Sequence, residues 1–357
     1  MRDVGMVIPV YNQDPTYLKL SLNSVLNQTY NNFHLVIVID GADEQTRNIV
    51  FQYEQDNRVK IIDKEVNEGI SVALNTGFNY LFEIGEVQYL TWGSSDNVVY
   101  PNFIEKLRNR IKNAAPEVGV VYSCFHHIGV KGEKIHNEIQ QNTLAKWQQN
   151  KTVRDLLDYS FIGTSFMYKK VYAKQIGGYY LDPVQTYDFW LRLTELCDIE
   201  FIPEALMAYR FESPLSLSRK IQTDIKKHRW WRDQYNLARH MARLRRGIPY
   251  ETTILFPIRS ISEGTIKEIE SILEQQYHNY YLILIDKTRQ IRSKLKILGI
   301  QDPRIRIIDK PMDQHEKLKN IKTPHTQYKL IYNKQLNFFN VHSLSNIIKK
   351  MKMRSSG

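Results

Sequence analysis

Apolar runs rich in β-branched residues alternate with segments of helical spacing through the first half of this chain, and that alternation constrains the fold more than any other feature. Residues 4–10, 33–40, 59–63, 89–92 and 118–124 read as strands, and 17–26, 44–55, 70–81 and 103–112 have helical spacing between them. Strand and helix in turn build right-handed βαβ crossovers and a mostly parallel sheet, so the class is α/β and ligands are expected past the carboxyl ends of the strands. Tyr11, Asp40, Asp63 and residues 93–97 lie just past those ends.

The opening pattern returns about 246 residues later. Met6-Val-Ile-Pro-Val10 is echoed by Ile254-Leu-Phe-Pro-Ile258, Ser24-Val-Leu-Asn-Gln-Thr-Tyr30 by Ser271-Ile-Leu-Glu-Gln-Gln-Tyr277, and Asp56-Asn-Arg-Val-Lys-Ile-Ile-Asp-Lys64 by Asp302-Pro-Arg-Ile-Arg-Ile-Ile-Asp-Lys310. Three matches in one order are not a product of chance. A weaker match of Gln327-Tyr328 to Gln88-Tyr89 puts Gln335 in the place of Asp96, after which the second copy soon stops. The expected organisation is a first domain at 1–218, a basic helical linker at 219–247 and a smaller α/β domain at 248–357, truncated and without catalytic residues.

With 357 residues, 42% hydrophobic, the chain can bury the cores of two domains. Its charge is unevenly divided: residues 1–218 carry 20 Lys and Arg against 26 Asp and Glu, whereas 219–357 carry 29 against 12. The net +11 therefore belongs to the second half, where an anionic acceptor or an anionic membrane surface is the expected partner. The linker contains Trp230-Trp231, which either pack between two domains or face lipid at the membrane interface. No nucleic-acid-binding motif accompanies the charge. Cys124 and Cys197 each sit in an apolar segment and read as buried thiols rather than a disulfide or zinc site. No run of eighteen apolar residues occurs, and the start enters a strand pattern without a signal-peptide core, so a cytoplasmic protein is expected, with any membrane contact peripheral and at the inner face.

Val7-Ile-Pro-Val-Tyr-Asn12 ends a strand in Pro9 and Tyr11, a rigid wall for a flat base, and Asp40 closes the next strand beside Gly41, where a carboxylate accepts from a uracil imide or a ribose hydroxyl. With Ser24-Val-Leu-Asn-Gln-Thr-Tyr30 and Asn67-Glu-Gly-Ile-Ser-Val-Ala-Leu-Asn-Thr-Gly77, these segments resemble the family 2 glycosyltransferases of GT-A fold. The resemblance continues through Ile162-Gly-Thr-Ser165, Ile176-Gly-Gly-Tyr179, Phe189-Trp-Leu-Arg-Leu193 and Tyr209-Arg210, covering residues 4–218. It implies a GT-A, Rossmann-like domain that transfers a sugar from a nucleotide diphosphate donor, a UDP-sugar first among them, to an acceptor with inversion, in the synthesis of cell-surface glycans or glycoconjugates. The donor-binding residues it implies are Pro9, Tyr11, Asp40, Asn67, Gly69, Asn75, Ser94 and Ser95.

A diphosphate leaving group gathers negative charge, and Mn²⁺ or Mg²⁺ on hard oxygen ligands offsets it. In the family this ligand belongs to an Asp-x-Asp motif; here the aligned segment is Gly93-Ser94-Ser95-Asp96-Asn97, so the metal role falls on Asp96 alone. Glu212 stands near the place of a further family ligand, as an oxygen donor or as plain surface charge. His126-His127 follow a strand, and neighbours there face opposite sides. Inversion also needs a general base. Anchored on Trp190, the family's Glu-Asp pair falls on Gln185-Thr186, which cannot serve, so Asp188 is the favoured base and Asp182 the next candidate, although two residues along a helix turn a side chain by about 200°. These departures leave a second reading of another class, a non-catalytic sugar-nucleotide-binding or scaffold protein. For 248–357 the roles open are homo-oligomerisation, acceptor capture and membrane approach.

Overall fold

A computed structural model describes residues 1–211, 217–309, 321–333, 338 and 340–355. The chain forms two compact units, Met1–Lys220 and Ile221–Gly357. Glu212 and Gln335 lie outside the described residues.

The first unit is built on one eight-stranded sheet. Its strands are β1 (Val4–Val10), β2 (Phe33–Asp40), β3 (Val59–Lys64), β4 (Tyr89–Trp92), β5 (Val98–Val99), β6 (Val118–Ile128), β7 (Phe166–Lys169) and β8 (Asp198–Arg210), in the order β3-β2-β1-β4-β7-β6-β8-β5. Parallel pairing runs from β3 through β2 and β1 to β4. Between them run α1 (Pro15–Leu26), α2 (Glu44–Phe51) and α3 (Ile70–Glu83), the crossovers that parallel strands require. β1 and β2 are buried on both faces, which is why their sequences are continuous apolar runs rather than alternating ones. Beyond β4 the order turns mixed: β7 is antiparallel to both β4 and β6. Two glycines fix close approaches. A Cβ on Gly77 of α3 would come within 2.6 Å of a Val7 methyl, and Gly41 adopts φ +64 after β2 where a Cβ would meet the Asn67 nitrogen at 2.3 Å. The latter presses the end of β2 against the 66–69 loop.

The remaining helices of this unit are α4 (Phe103–Asn113), α5 (Glu138–Gln149), α6 (Lys170–Ile176), α7 (Gln185–Leu193) and α8 (Leu217–Thr223, which runs across the boundary at 220). Cys124 and Cys197 are buried free thiols, and burial pushes them up to about 11 and about 12.

The second unit opens with α9 (Ile225–Arg245), so the stretch expected as a linker is for the most part a helix of this unit. Its strands β9 (Thr252–Ile258), β10 (Tyr280–Asp286), β11 (Ile305–Asp309) and β12 (Tyr328–Ile331) pair in parallel in the order β11-β10-β9-β12, the order of β3-β2-β1-β4. Among its described residues it also contains helices α10 (Glu263–Leu273), α11 (Ile291–Leu298) and α12 (Ser343–Ser355).

Several side-chain devices recur in the two units. The Gln28 amide donates to the Ser24 and Tyr100 carbonyls (3.0 and 2.8 Å) and accepts from Ile104 N (2.9 Å) at the start of α4. Gln275 donates to the Ser271 and Asn340 carbonyls (3.0 and 3.1 Å) and accepts from Leu344 N (2.9 Å) at the start of α12. Arg58 forks onto Asp56 and lies over Phe33; Arg304 forks onto Asp302 and lies over Tyr280. Tyr30 OH donates to Asp3 as Tyr277 OH does to Glu251. One place differs in size: Ile8 and Gly93 stand where Phe256 and Tyr332 stack at 4.4 Å, with Phe338 stacked on Tyr332 in turn. In the first unit Ile8 and Gly93 instead line a small cavity together with Met207 of β8.

Candidate active site

The carboxyl ends of β1, β2 and β4 converge on one edge of the first sheet. Pro9 is half-buried near the end of β1, and Tyr11 just past it is 50% exposed, free to meet a ligand. Beyond β4, Ser95 is buried and accepts from Gln13 Nε2 at 3.1 Å, while the Ser94 carbonyl accepts from Ser21 Oγ at 3.1 Å. Asp96 follows, half-buried. Burial pushes its carboxyl above the usual range, against its own backbone N–H and the charge of Arg210. A carboxylate kept from water in this way gains by taking up a cation.

Arg210, the last residue of β8, holds this loop. It is 3% exposed, donates from Nε to the Asp96 carbonyl (3.2 Å) and from Nη1 to the carbonyls of Gly129 and Val130 (2.8 and 2.9 Å), and lies 3.9 Å from the centre of the Tyr17 ring. Its own amide donates to Asn97 Oδ1 at 3.0 Å. Sequence reasoning noted Tyr209-Arg210 without a role for either. The available signal was a charged residue closing an otherwise apolar strand end.

Asp40 is turned inward rather than toward a ligand. At 3% exposure its carboxylate accepts from Glu68 N (3.1 Å), Gly69 N (2.9 Å) and Lys64 Nζ (3.0 Å). Three donors on one carboxylate brace the 64–69 loop, and Asn67 adds a bond from Nδ2 to the Asp40 carbonyl at 3.2 Å. Asn75 is likewise occupied, exchanging two bonds with the backbone of Tyr179 (2.7 and 2.8 Å).

Asp188 differs from expectation in the same way. It is 6% exposed in the first turn of α7 and ion-paired with Arg192 at 2.9 Å, and Arg192 also donates to the Ile176 and Gly178 carbonyls. A helical carboxylate four residues before an Arg finds that partner on its own face. Asp182 is the more open carboxylate: half-buried, it accepts from Ser71 Oγ at 2.5 Å and lies against Gly69. Gln185 and Thr186 begin α7, and the Gln185 side-chain oxygen is buried without a hydrogen-bond partner.

His126 bonds to Tyr100 OH at 2.6 Å, whereas His127 is ringed by Phe125, His136, Tyr209 and Phe211 with its pKa lowered by burial and by His136. Among the described residues no three His, Cys, Asp or Glu side chains converge as a metal site.

A sheet of this order, parallel from β3 to β4 and mixed beyond, with a carboxylate loop past β4, has the GT-A architecture, followed here by a second, smaller α/β unit. Residues 6–177 match the model of the glycosyl transferase family 2. The chain is 25% identical to an uncharacterized glycosyltransferase of Rickettsia felis over 89% of its own length and 58% of that protein's. It is 32% identical to the glycosyltransferase GlyA of Streptococcus pneumoniae over 33% of its length and 16% of GlyA. The chain thus spans less than two thirds of these curated relatives. Among solved structures, the mannosyltransferase PcManGT of Pyrobaculum calidifontis, in complex with GDP-Man and Mn²⁺, superposes with a TM-score of 0.50 at 15% identity, covering 78% of this chain and 70% of that one.

Proposed function

We propose that the first unit transfers a sugar from a nucleotide diphosphate donor, a UDP-sugar first among them, to an acceptor hydroxyl with inversion, in the synthesis of a cell-surface glycan or glycoconjugate. The observation that carries this is the Asp96 loop: a desolvated carboxylate past β4, braced by Arg210, on the sheet edge where Tyr11 is exposed. Pro9 and Tyr11 form the wall for the base, the loop braced by Asp40 presents Asn67 and Gly69, and Ser94 and Ser95 border the phosphates. The residues fit a hard cation of low protein valence, since Mg²⁺ and Mn²⁺ sites of this kind use one or two carboxylates and fill the rest with phosphate oxygens and water. Asp96 is the protein ligand; the bound metal supplies charge neutralisation for the departing diphosphate. The mannosyltransferase of like fold, holding GDP-Man and Mn²⁺, is in keeping with this.

For the base we favour Asp182 over Asp188, because Asp188 is committed to Arg192 while Asp182 faces the 69–71 segment. The acceptor oxygen attacks the anomeric carbon, the bond to the β-phosphate oxygen breaks, and the acceptor proton passes to Asp182. We read the second unit as a copy of the donor half, a reading supported by the matched sheet order and by the paired roles of Gln28 and Gln275. Arg259 replaces Tyr11 in it, which argues against a second donor site.

The test is a panel of nucleotide sugars with and without Mn²⁺, reading donor turnover. Metal-dependent turnover lost in Asp96→Ala is expected; turnover unchanged in that variant would remove the metal role. A second reading, a non-catalytic sugar-nucleotide binder, is favoured by Gln185-Thr186 at the start of α7. Metal-stimulated binding with no hydrolysis and no transfer would establish it instead.

A further inference from the structure

One helix of the second unit buries charged and polar side chains beside two alanines, Ala238 and Ala242. A helix laid on a globular domain normally turns its apolar stripe inward. On α9 the inward residues include Arg232, Asp233, Asn236 and Arg243, each at most 4% exposed. Their partners explain the burial: Arg232 bonds Glu274 (2.9 Å) and Asp233 (3.0 Å), Asp233 accepts from Gln301 N (2.5 Å), and Asn236 donates to Asp302 (2.8 Å). Arg229 forks onto Glu270 alongside (2.7 and 2.9 Å).

That arrangement leaves several large apolar residues outside, although Trp231 and Tyr235 are half-buried. Trp230, Met241 and Leu244 are 40%, 43% and 62% exposed, and Leu237 between them is half-buried. At the helical pitch these four fall within an arc of about 60° and run for about 21 Å along the axis. Lys226 and Lys227 border the stripe at one end and Arg245 at the other. The unit around it is strongly basic, with 27 Lys and Arg against 12 Asp and Glu in residues 221–357.

We propose that the outer face of α9 docks on an anionic lipid surface, lying in the plane of the headgroups with Trp230, Leu237, Met241 and Leu244 inserted. An apolar stripe one helix wide with Trp among basic flanks is the form of an interfacial helix. Charge decides the occupant. A second copy of this chain would bring two basic units face to face, whereas anionic headgroups attract the same charge. No helix among the described residues is long and apolar enough to cross a membrane, so the contact is by insertion of one face. The proposal stands apart from the catalytic reading and survives its failure.

The experiment is co-sedimentation of the full chain with vesicles of phosphatidylcholine alone and of equimolar phosphatidylcholine and phosphatidylglycerol. Binding to the second and not the first is expected, weakening with added salt. A blue shift of tryptophan emission should accompany it and shrink in Trp230→Phe. The variant Trp230→Gln with Leu244→Gln alters exposed side chains and should melt with the wild type while its partition falls about tenfold or more. Lys226→Glu with Lys227→Glu should weaken binding at low salt and leave melting unchanged. No partition into the anionic vesicles at low salt overturns the proposal, as does equal partition of the Gln variant. Sedimentation velocity showing a dimer that the Gln variant dissociates, with no vesicle binding, would assign the face to a second copy instead.

Discussion

Replacing Arg210 by Ala removes the brace of the Asp96 loop and gives the sharpest test of how the site is held. The guanidinium makes three hydrogen bonds to carbonyls and lies 3.9 Å from the centre of the Tyr17 ring, at 3% exposure. At about 1–1.5 kcal/mol net for each bond and about 0.5–1 kcal/mol for the ring contact, the loss is about 4 kcal/mol. For a unit of 220 residues that corresponds to a fall in melting temperature of roughly 12 °C. Hydrogen–deuterium exchange by mass spectrometry in a urea series is the assay of choice, because it reads β1 and β2 separately from β9 and β10 in a chain with two units. The expectation is that protection falls in the first unit and holds in the second. Arg210→Lys keeps the charge but not the fork, and should fall between. A loss under 1 kcal/mol in Arg210→Ala, or an equal loss in both units, would refute the reasoning.

The two candidate bases separate cleanly: Asp182→Asn should lower kcat by at least about 100-fold with little change in melting, whereas Asp188→Asn should chiefly lower stability by breaking the pair with Arg192, as thermal melts would show. Because burial raises the Asp96 pKa, the folded state binds that proton more tightly than the unfolded chain, so the carboxylate costs stability as pH rises. Asp96→Asn should accordingly melt no lower, and by this logic higher, than wild type at neutral pH without metal, while losing Mn²⁺ affinity by calorimetry. In the second unit Asp302 is lowered: burial alone would push it up, but the charge and hydrogen bonds of Arg304 prevail. Its contribution is complete above the unfolded pKa near 4 and is lost as pH falls through the folded value, so exchange protection of β10 and β11 should collapse there. Gln275→Ala should cost that unit about 2 kcal/mol by urea denaturation, because the Leu344 amide and three carbonyls lose their partner.

Much of the architecture was legible because it is written in local pattern. The apolar runs at β1 and β2 and the helical spacing of α1 and α3 depend on near neighbours, and the echo of residues 6–64 in 254–310 announced a second unit whose sheet order matches the first. Element ends were less so: β6 runs to Ile128 rather than 124, because its last turns are held by pairing with β8, far off in sequence.

What the sequence determined by itself was composition placed in order: which residues follow each strand, and that one carboxylate, Asp96, stands where several are usual. What only the tertiary structure decided was which polar groups were already spent. Asp40 and Asn75 stand at the positions the motif implies and Asp188 two residues past its own, yet each is engaged by partners 4–104 residues away in the chain. Arg210 holds the Asp96 loop from 114 residues off, and α9 turns its charge inward because Glu274 and Asp302 wait beneath it. A side chain's partner is fixed by the meeting of distant segments, and no local pattern records that meeting.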